Sequence, residues 1–176
     1  MPRVSLIATA LLMAAPGIAQ AAETPCLSAS EFSSLAGYSL PSVINGTAQR
    51  CSPALGPDAY LSRSGRQLAS RYAERKDASW PGAKAAFLKL SASKNDDAAK
   101  LIRSMPDTSL QQMIDAVMEG MVSQQIPQDH CGTIDSAIRL LAPLPPANTA
   151  ELIALMVGLG AKSGKGKVGS ITLCPA

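Results

Sequence analysis

The chain has 176 residues, with 16 Lys and Arg against 13 Asp and Glu, one His, four Cys and 47% hydrophobic residues, the profile of a single globular domain. Aromatic residues make up only 3%, too few for the stacking platforms of single-strand nucleic-acid or sugar-binding proteins, and a net charge of +3 is far below that of a dedicated DNA-binding domain. No nucleic-acid partner is expected.

Residues 1–21 read as a cleaved secretory signal. Met1 to Arg3 supply a positive start, Val4 to Ala15 an apolar run, Pro16-Gly17 a breaker and Ala19-Gln20-Ala21 a small-residue cleavage site, with the cut after Ala21. The run is shorter than the roughly 20 apolar residues that a bilayer span needs, so the chain is not expected to cross a membrane. Cleavage removes Arg3 and leaves a net charge of +2. A periplasmic or secreted location follows, in which an even number of cysteines favours disulfides. Cys26, Cys51, Cys131 and Cys174 are therefore expected to be bonded, and their wide spacing, with one His in the chain, does not suit zinc. No cofactor is implied.

From residue 22 to 161 the chain reads as helix after helix. Ser28-Ala29-Ser30-Glu31 has the capping-box pattern, which predicts a first helix ending near Ala36-Gly37. Pro41 suits the first turn of a second helix running to about Cys51, with Asn45-Gly46 weakening its middle. After Pro53 and Pro57, Leu61, Leu68 and Tyr72 recur at helical spacing from Asp58 to about Lys76. Pro81 is expected to open the next helix, which dissolves at Ser91 to Ser93, and Asn95 to cap a short one carrying Ala98, Leu101 and Ile102. The strongest periodicity follows Pro106-Asp107: Leu110, Met113, Ile114, Val117, Met118, Met121 and Val122 make a wide apolar face. Pro127 starts a helix with Ile134, Ile138, Leu140 and Leu141, stopped by Pro143 to Pro146. Asn148-Thr149-Ala150-Glu151 resembles another capping box, and the nearly all-apolar Leu152 to Leu159 is expected to be central to the core.

Residues 162–176 form a basic Gly/Lys linker and an extended tail holding Cys174, in which at most Ser170 to Leu173 pairs as a strand. The expected fold is all-α, a small multi-helix bundle of antiparallel helical hairpins with a C-terminal extended tail and two disulfides. In such hairpins Cys26 and Cys51 would close one pair of helix ends and Cys131 and Cys174 another, so Cys26–Cys51 and Cys131–Cys174 are the pairings this topology favours.

Signatures of catalysis are weak. Asp129-His130-Cys131 brings a histidine beside a thiol, but a bonded Cys131 provides no thiolate, leaving His130 as a surface residue at a helix start. Ser91-Ala92-Ser93-Lys94 has the S-x-x-K spacing of penicillin-recognising enzymes without their companion motifs. Gly158 to Lys165 superficially resembles a phosphate loop, yet Leu159 occupies the place of its first glycine, and the stretch follows a helix. Asp96-Asp97, and Asp115 with Glu119, read as solvated helix faces. Asn45-Gly46-Thr47 matches a glycosylation sequon.

Charge is distributed unevenly. Residues 63–103 hold ten positive and four negative side chains, whereas residues 104–138 hold five negative and none positive. One reading makes Arg63, Arg66, Arg71, Arg75 and Lys76 a face for an anionic envelope surface or an acidic protein. The other has basic and acidic helices pack together and neutralise one another. The function expected is therefore that of an exported, non-enzymatic helical protein binding an envelope component or another protein, with a small periplasmic or secreted hydrolase as the alternative.

Overall fold

The computed structural model describes residues 26–92, 95–162, 167–168 and 171–174, so the expected signal segment lies outside the described residues. The fold is all-α: α1 (Ala29–Cys51), α2 (Tyr60–Ala73), α3 (Lys76–Ala92), α4 (Asp96–Ser104), α5 (Asp107–Gln125), α6 (Cys131–Leu141) and α7 (Pro146–Lys162), with a 3-10 turn at Gln128–His130 before α6. Three short strands, β1 (Cys26–Leu27), β2 (Lys167–Val168) and β3 (Ile171–Leu173), form a sheet in the order β1-β3-β2. β3 runs parallel to β1, with Leu27 beside Leu173, and antiparallel to β2.

Helix α1 is the axis of the molecule. Its start is the expected capping box: Ser28 Oγ accepts from the Glu31 N–H, and the Glu31 carboxylate accepts from the Ser28 N–H at 2.7 Å. From Phe32 to Gln49 it carries no charged residue, and its buried positions, Phe32, Tyr38, Ser39, Pro41, Ser42, Ile44, Gly46, Thr47 and Cys51, point in every direction around it. Other helices pack along it, leaving Asn45 and Gln49 exposed. α2 returns antiparallel along its C-terminal half, where Ile44 packs with Leu61, Leu68, Ala69, Tyr72 and, from the α6 end, Ala142. α3 continues that return along the N-terminal half, where Gly37 meets Ser79 and Gly82 meets Ser34. α6 and α7 make a second return, closing a cluster of Leu27, Phe32, Ala86, Ala154 and Leu173. α5 runs parallel to α1 and closes the middle, where Tyr38, Trp80, Ala83, Leu110 and Ile114 pack together.

This arrangement revises the expected pair of hairpins. The two helices expected over 28–37 and 41–51 are one, because Pro41 and Asn45-Gly46, which locally suggest breaks, lie in the middle of a helix held by packing at Pro41, Ser42, Ile44, Gly46 and Thr47. Gly46 serves close approach instead of a turn: a Cβ there would stand 2.6 Å from the Glu119 carbonyl oxygen of α5. A continuous helix of 23 residues is about 34 Å long. Cys26 and Cys51 therefore stand at opposite ends, and the pairings expected, Cys26–Cys51 and Cys131–Cys174, do not form. The bridges are Cys26–Cys174 and Cys51–Cys131, with Cα atoms 4.8 Å and 5.4 Å apart. One clamps each end of α1: the tail to the N-terminal end, beside the Cys174 N–H to Leu27 carbonyl bond, and the start of α6 to the C-terminal end. On the chain-entropy account, closing loops this long stabilises by about 4 to 5 kcal/mol per bridge.

Two further expectations change. Pro81 lies inside α3, which begins at Lys76. The apolar Leu152 to Leu159 segment is peripheral: Ile153, Ala154 and Val157 face the core, whereas Leu155, Met156 and Leu159 are 59%, 54% and 58% exposed.

Helix α2 depends on a long-range cap. Its own N-cap residue, Ala59, has no side-chain acceptor, and the buried carboxylate of Asp135 on α6 accepts from the Tyr60 N–H at 3.1 Å and the Leu61 N–H at 2.7 Å. Asp135→Ala leaves both donors unsatisfied in the interior. It is expected to lower stability by about 1 to 3 kcal/mol, read as a lower urea midpoint with an unchanged slope. Asp135→Asn, which retains one acceptor oxygen, should lose less; parental midpoints for both variants would exclude the cap.

Candidate anionic-partner face

The five residues singled out for an anionic partner divide into two groups. Lys76, at the start of α3, turns inward: its ammonium pairs with Asp115 of α5 and lies 4.5 Å from the centroid of the Tyr38 ring. Farther along α3, Lys84 pairs with Asp107, whose other oxygen accepts from Trp80 Nε1 at 2.9 Å, and Lys89 reaches Glu31 at 3.1 Å. Lys76 and Lys84 of α3 thus neutralise Asp115 and Asp107 of α5, and Lys89 neutralises Glu31 of α1. Lys76 is withdrawn from the candidate face for that reason.

The polar side of this interface is continuous. Asp115 also accepts from Ser42 Oγ at 3.2 Å, and Tyr38 donates its hydroxyl to the Gln111 carbonyl at 3.3 Å. Burial, then the nearby Asp115 charge, pushes the Tyr38 phenol above its ordinary range. The Asp107 carboxyl is held below the usual carboxylate range by its hydrogen bonds from Lys84 and Trp80. The Ser28 N–H, followed by Lys89, does the same for Glu31.

The arginines are placed differently. On α2 the buried side is Leu61, Gly65, Leu68, Ala69 and Tyr72, so Arg63 and Arg66 fall on the opposite, exposed side by helical periodicity. Arg71 lies at the margin, where its guanidinium donates to the Ala142 carbonyl and sits 5.8 Å from the centroid of the Tyr72 ring. Arg75 follows in the exposed turn before α3. The side chains of Arg63, Arg66 and Arg75 make no ion pair or hydrogen bond among the described residues, and Glu74 is the one carboxylate in their stretch from residue 60 to 75. Arg66 borders a shallow groove of about 330 Å³ with Pro41, Asn45, Ala69, Ser70 and Ala73. Arg139, on the neighbouring α6, is exposed as well, although it lies 64 residues beyond Arg75 in the chain.

The remaining candidates stay apart. Cys131 is buried and bonded to Cys51, and His130 is exposed, its Nε2 3.8 Å from the Asp129 carboxylate. Ser91 donates to the Phe87 carbonyl, while Ser93 and Lys94 lie outside the described residues. Among the described residues no group of three or more His, Cys, Asp or Glu is placed to hold a metal ion, and no helix is long and apolar enough to cross a membrane. Compared with protein-family models, curated proteins and solved structures, the chain matches none.

A raised Tyr38 pKa has a defined sign. The neutral phenol is favoured by folding, so its contribution is complete below the ordinary tyrosine pKa of about 10 and is lost as pH rises above it. In folded protein titrated to about pH 11, Tyr38→Phe should therefore leave the phenolate absorbance change as large as in the parent. A smaller change in the variant would show that Tyr38 ionises in that range.

Proposed function

We propose that this is an exported, non-enzymatic helical protein that binds an anionic envelope surface through the arginine side of α2, formed by Arg63 and Arg66 with Arg71 and Arg75 at its edges. The observation that carries the reading is the division of the basic residues: the α3 lysines are spent on carboxylates within the fold, whereas Arg63, Arg66 and Arg75 stand exposed without an ion pair among the described residues. Charges left unpaired on a rigid helix supply attraction to a surface of opposite sign with little reorganisation on binding. The two disulfides support an oxidising, extracytoplasmic compartment, and export through the 1–21 segment, to the periplasm or beyond, is the route this proposal takes. An acidic protein is the other partner that such a face would accept.

Attraction of this kind is screened over about 10 Å at 0.1 M salt and about 3 Å at 1 M. Binding to vesicles with a fraction of anionic lipid should therefore weaken steadily with salt and be absent from neutral vesicles. Each basic residue near an anionic surface contributes about 1 kcal/mol, so replacing Arg63 and Arg66 together by Gln should reduce vesicle affinity by about thirtyfold at low salt, with the helical circular dichroism unchanged. Co-sedimentation reads both. A parent protein that ignores anionic vesicles at low salt, or a double variant that binds them equally well, would contradict the lipid reading, and retained capture of an acidic protein would redirect it.

A further inference from the structure

A second polar site lies where α1, α3 and α7 converge. The groove there encloses about 170 Å³ and is lined by Ser33, Ser34 and Gly37 of α1, Arg75 in the turn before α3, Ser79 of α3, and the first turns of α7 up to Glu151. Two small-residue pairs open it. A Cβ on Gly37 would stand 2.9 Å from Ser79 Oγ, and one on Gly82 would overlap Ser34, so each glycine admits the serine of the other helix.

The hydroxyls are unspent. Ser70 and Ser91, elsewhere in the helices, donate back to the carbonyl four residues earlier. Ser33, Ser34 and Ser79 are half-buried, and none of their side chains bonds to the protein among the described residues. Three serines, whose hydroxyls can donate or accept, thus line one small cavity. Its rim carries charges of both signs: Arg75 and Glu151 are exposed lining residues, and they do not pair with each other or with any other described residue. The first turns of α3 and α7 border the same space and add weak positive potential.

We infer that this groove binds a small zwitterion, with an oxyanion held by Arg75 and the serine hydroxyls and an ammonium held by Glu151. A single anion would meet the Glu151 carboxylate, and a single cation the Arg75 guanidinium, so only a ligand carrying both charges satisfies both walls. The cavity has no aromatic lining residue for a sugar or nucleobase to stack on. Two sources share this chemistry: a phosphoethanolamine group, whether free or in a lipid headgroup, and an α-amino acid. The site shares Arg75 with the edge of the α2 surface, but Arg63 and Arg66 take no part in it.

The test uses soluble probes and disulfide-intact protein, with amide resonances followed by NMR. O-phosphoethanolamine or glycine should saturably shift Ser33, Ser34, Gly37, Ser79 and Ala150, while inorganic phosphate and ethanolamine, each with one kind of charge, should bind much more weakly. Tighter binding of O-phosphoethanolamine assigns the phosphoryl source, and tighter binding of glycine the amino-acid source. Arg75→Gln and Glu151→Gln, both at exposed positions, should each weaken the preferred zwitterion by about ten- to hundredfold, with Glu151→Gln leaving the weak phosphate response in place. The inference is overturned if neither zwitterion shifts these residues, if phosphate or ethanolamine alone binds as tightly, or if both variants bind as the parent does. Arg63→Gln/Arg66→Gln should bind the zwitterion normally, so loss of vesicle binding and loss of this site are read separately.

Discussion

A helix without charge from Phe32 to Gln49 and with buried residues on every side must be enclosed along most of its length, and α1 imposes that requirement on the rest of the chain. Its buried residues face all sides, and many of them are small, so neighbours approach closely enough for Gly46 to touch the backbone of α5 and for Gly37 and Gly82 to admit serines across the α1–α3 crossing. Three tracks of helix do the enclosing: α2 followed by α3, α6 followed by α7, and α5 between them. The disulfides act at the two ends of the same helix, where a track begins or the tail returns. Asp135 links two tracks by capping α2 from α6.

Because α1 contributes no charge between Glu31 and Arg50, the electrostatic character of the molecule is decided by its outer helices. Where two of them touch, at α3 and α5, lysine meets aspartate and the charges are consumed. Where a helix presents its outer side to water, as α2 does, arginines remain. The α3 lysines follow the reading in which basic and acidic groups neutralise one another, and the α2 arginines are the residues on which the proposed anionic contact rests. This division also places Arg75 at the boundary between the surface that carries the proposed anionic contact and the serine-lined groove beside it.

Much of the fold was legible because its signals are local. The Ser28 capping box, the Asn95 acceptor for the Asp97 N–H, the long periodic α5 and the short tail strand all occur where the residues indicate. The departures arise where tertiary packing overrides local preference. Pro41 and Asn45-Gly46 mark breaks in an isolated helix, but enclosure holds α1 through them, and the disulfide pairing changes with it. Continuous hydrophobicity in α7 suggested the centre, yet the central helix is the one rich in Ser, Gly and Ala, because small side chains allow neighbours on every side. Charge segregation between α3 and α5 was visible in the sequence; which basic residues remained outside depended on helix facing. The groove left only a faint trace, Ser34 with Gly37 and Ser79 with Gly82, two small-residue pairs whose meaning emerges when the helices cross.

Native-state hydrogen exchange tests the enclosure of α1 most directly. If the rest of the fold is assembled around this helix, its amides from Tyr38 to Thr47 open only when the whole molecule unfolds. They should then be the most protected, with an opening free energy equal to the global stability, whereas those of the peripheral α4 exchange through smaller, local openings. Exchange of the α1 centre at the rate of α4, or with an opening energy well below global stability, would contradict the account.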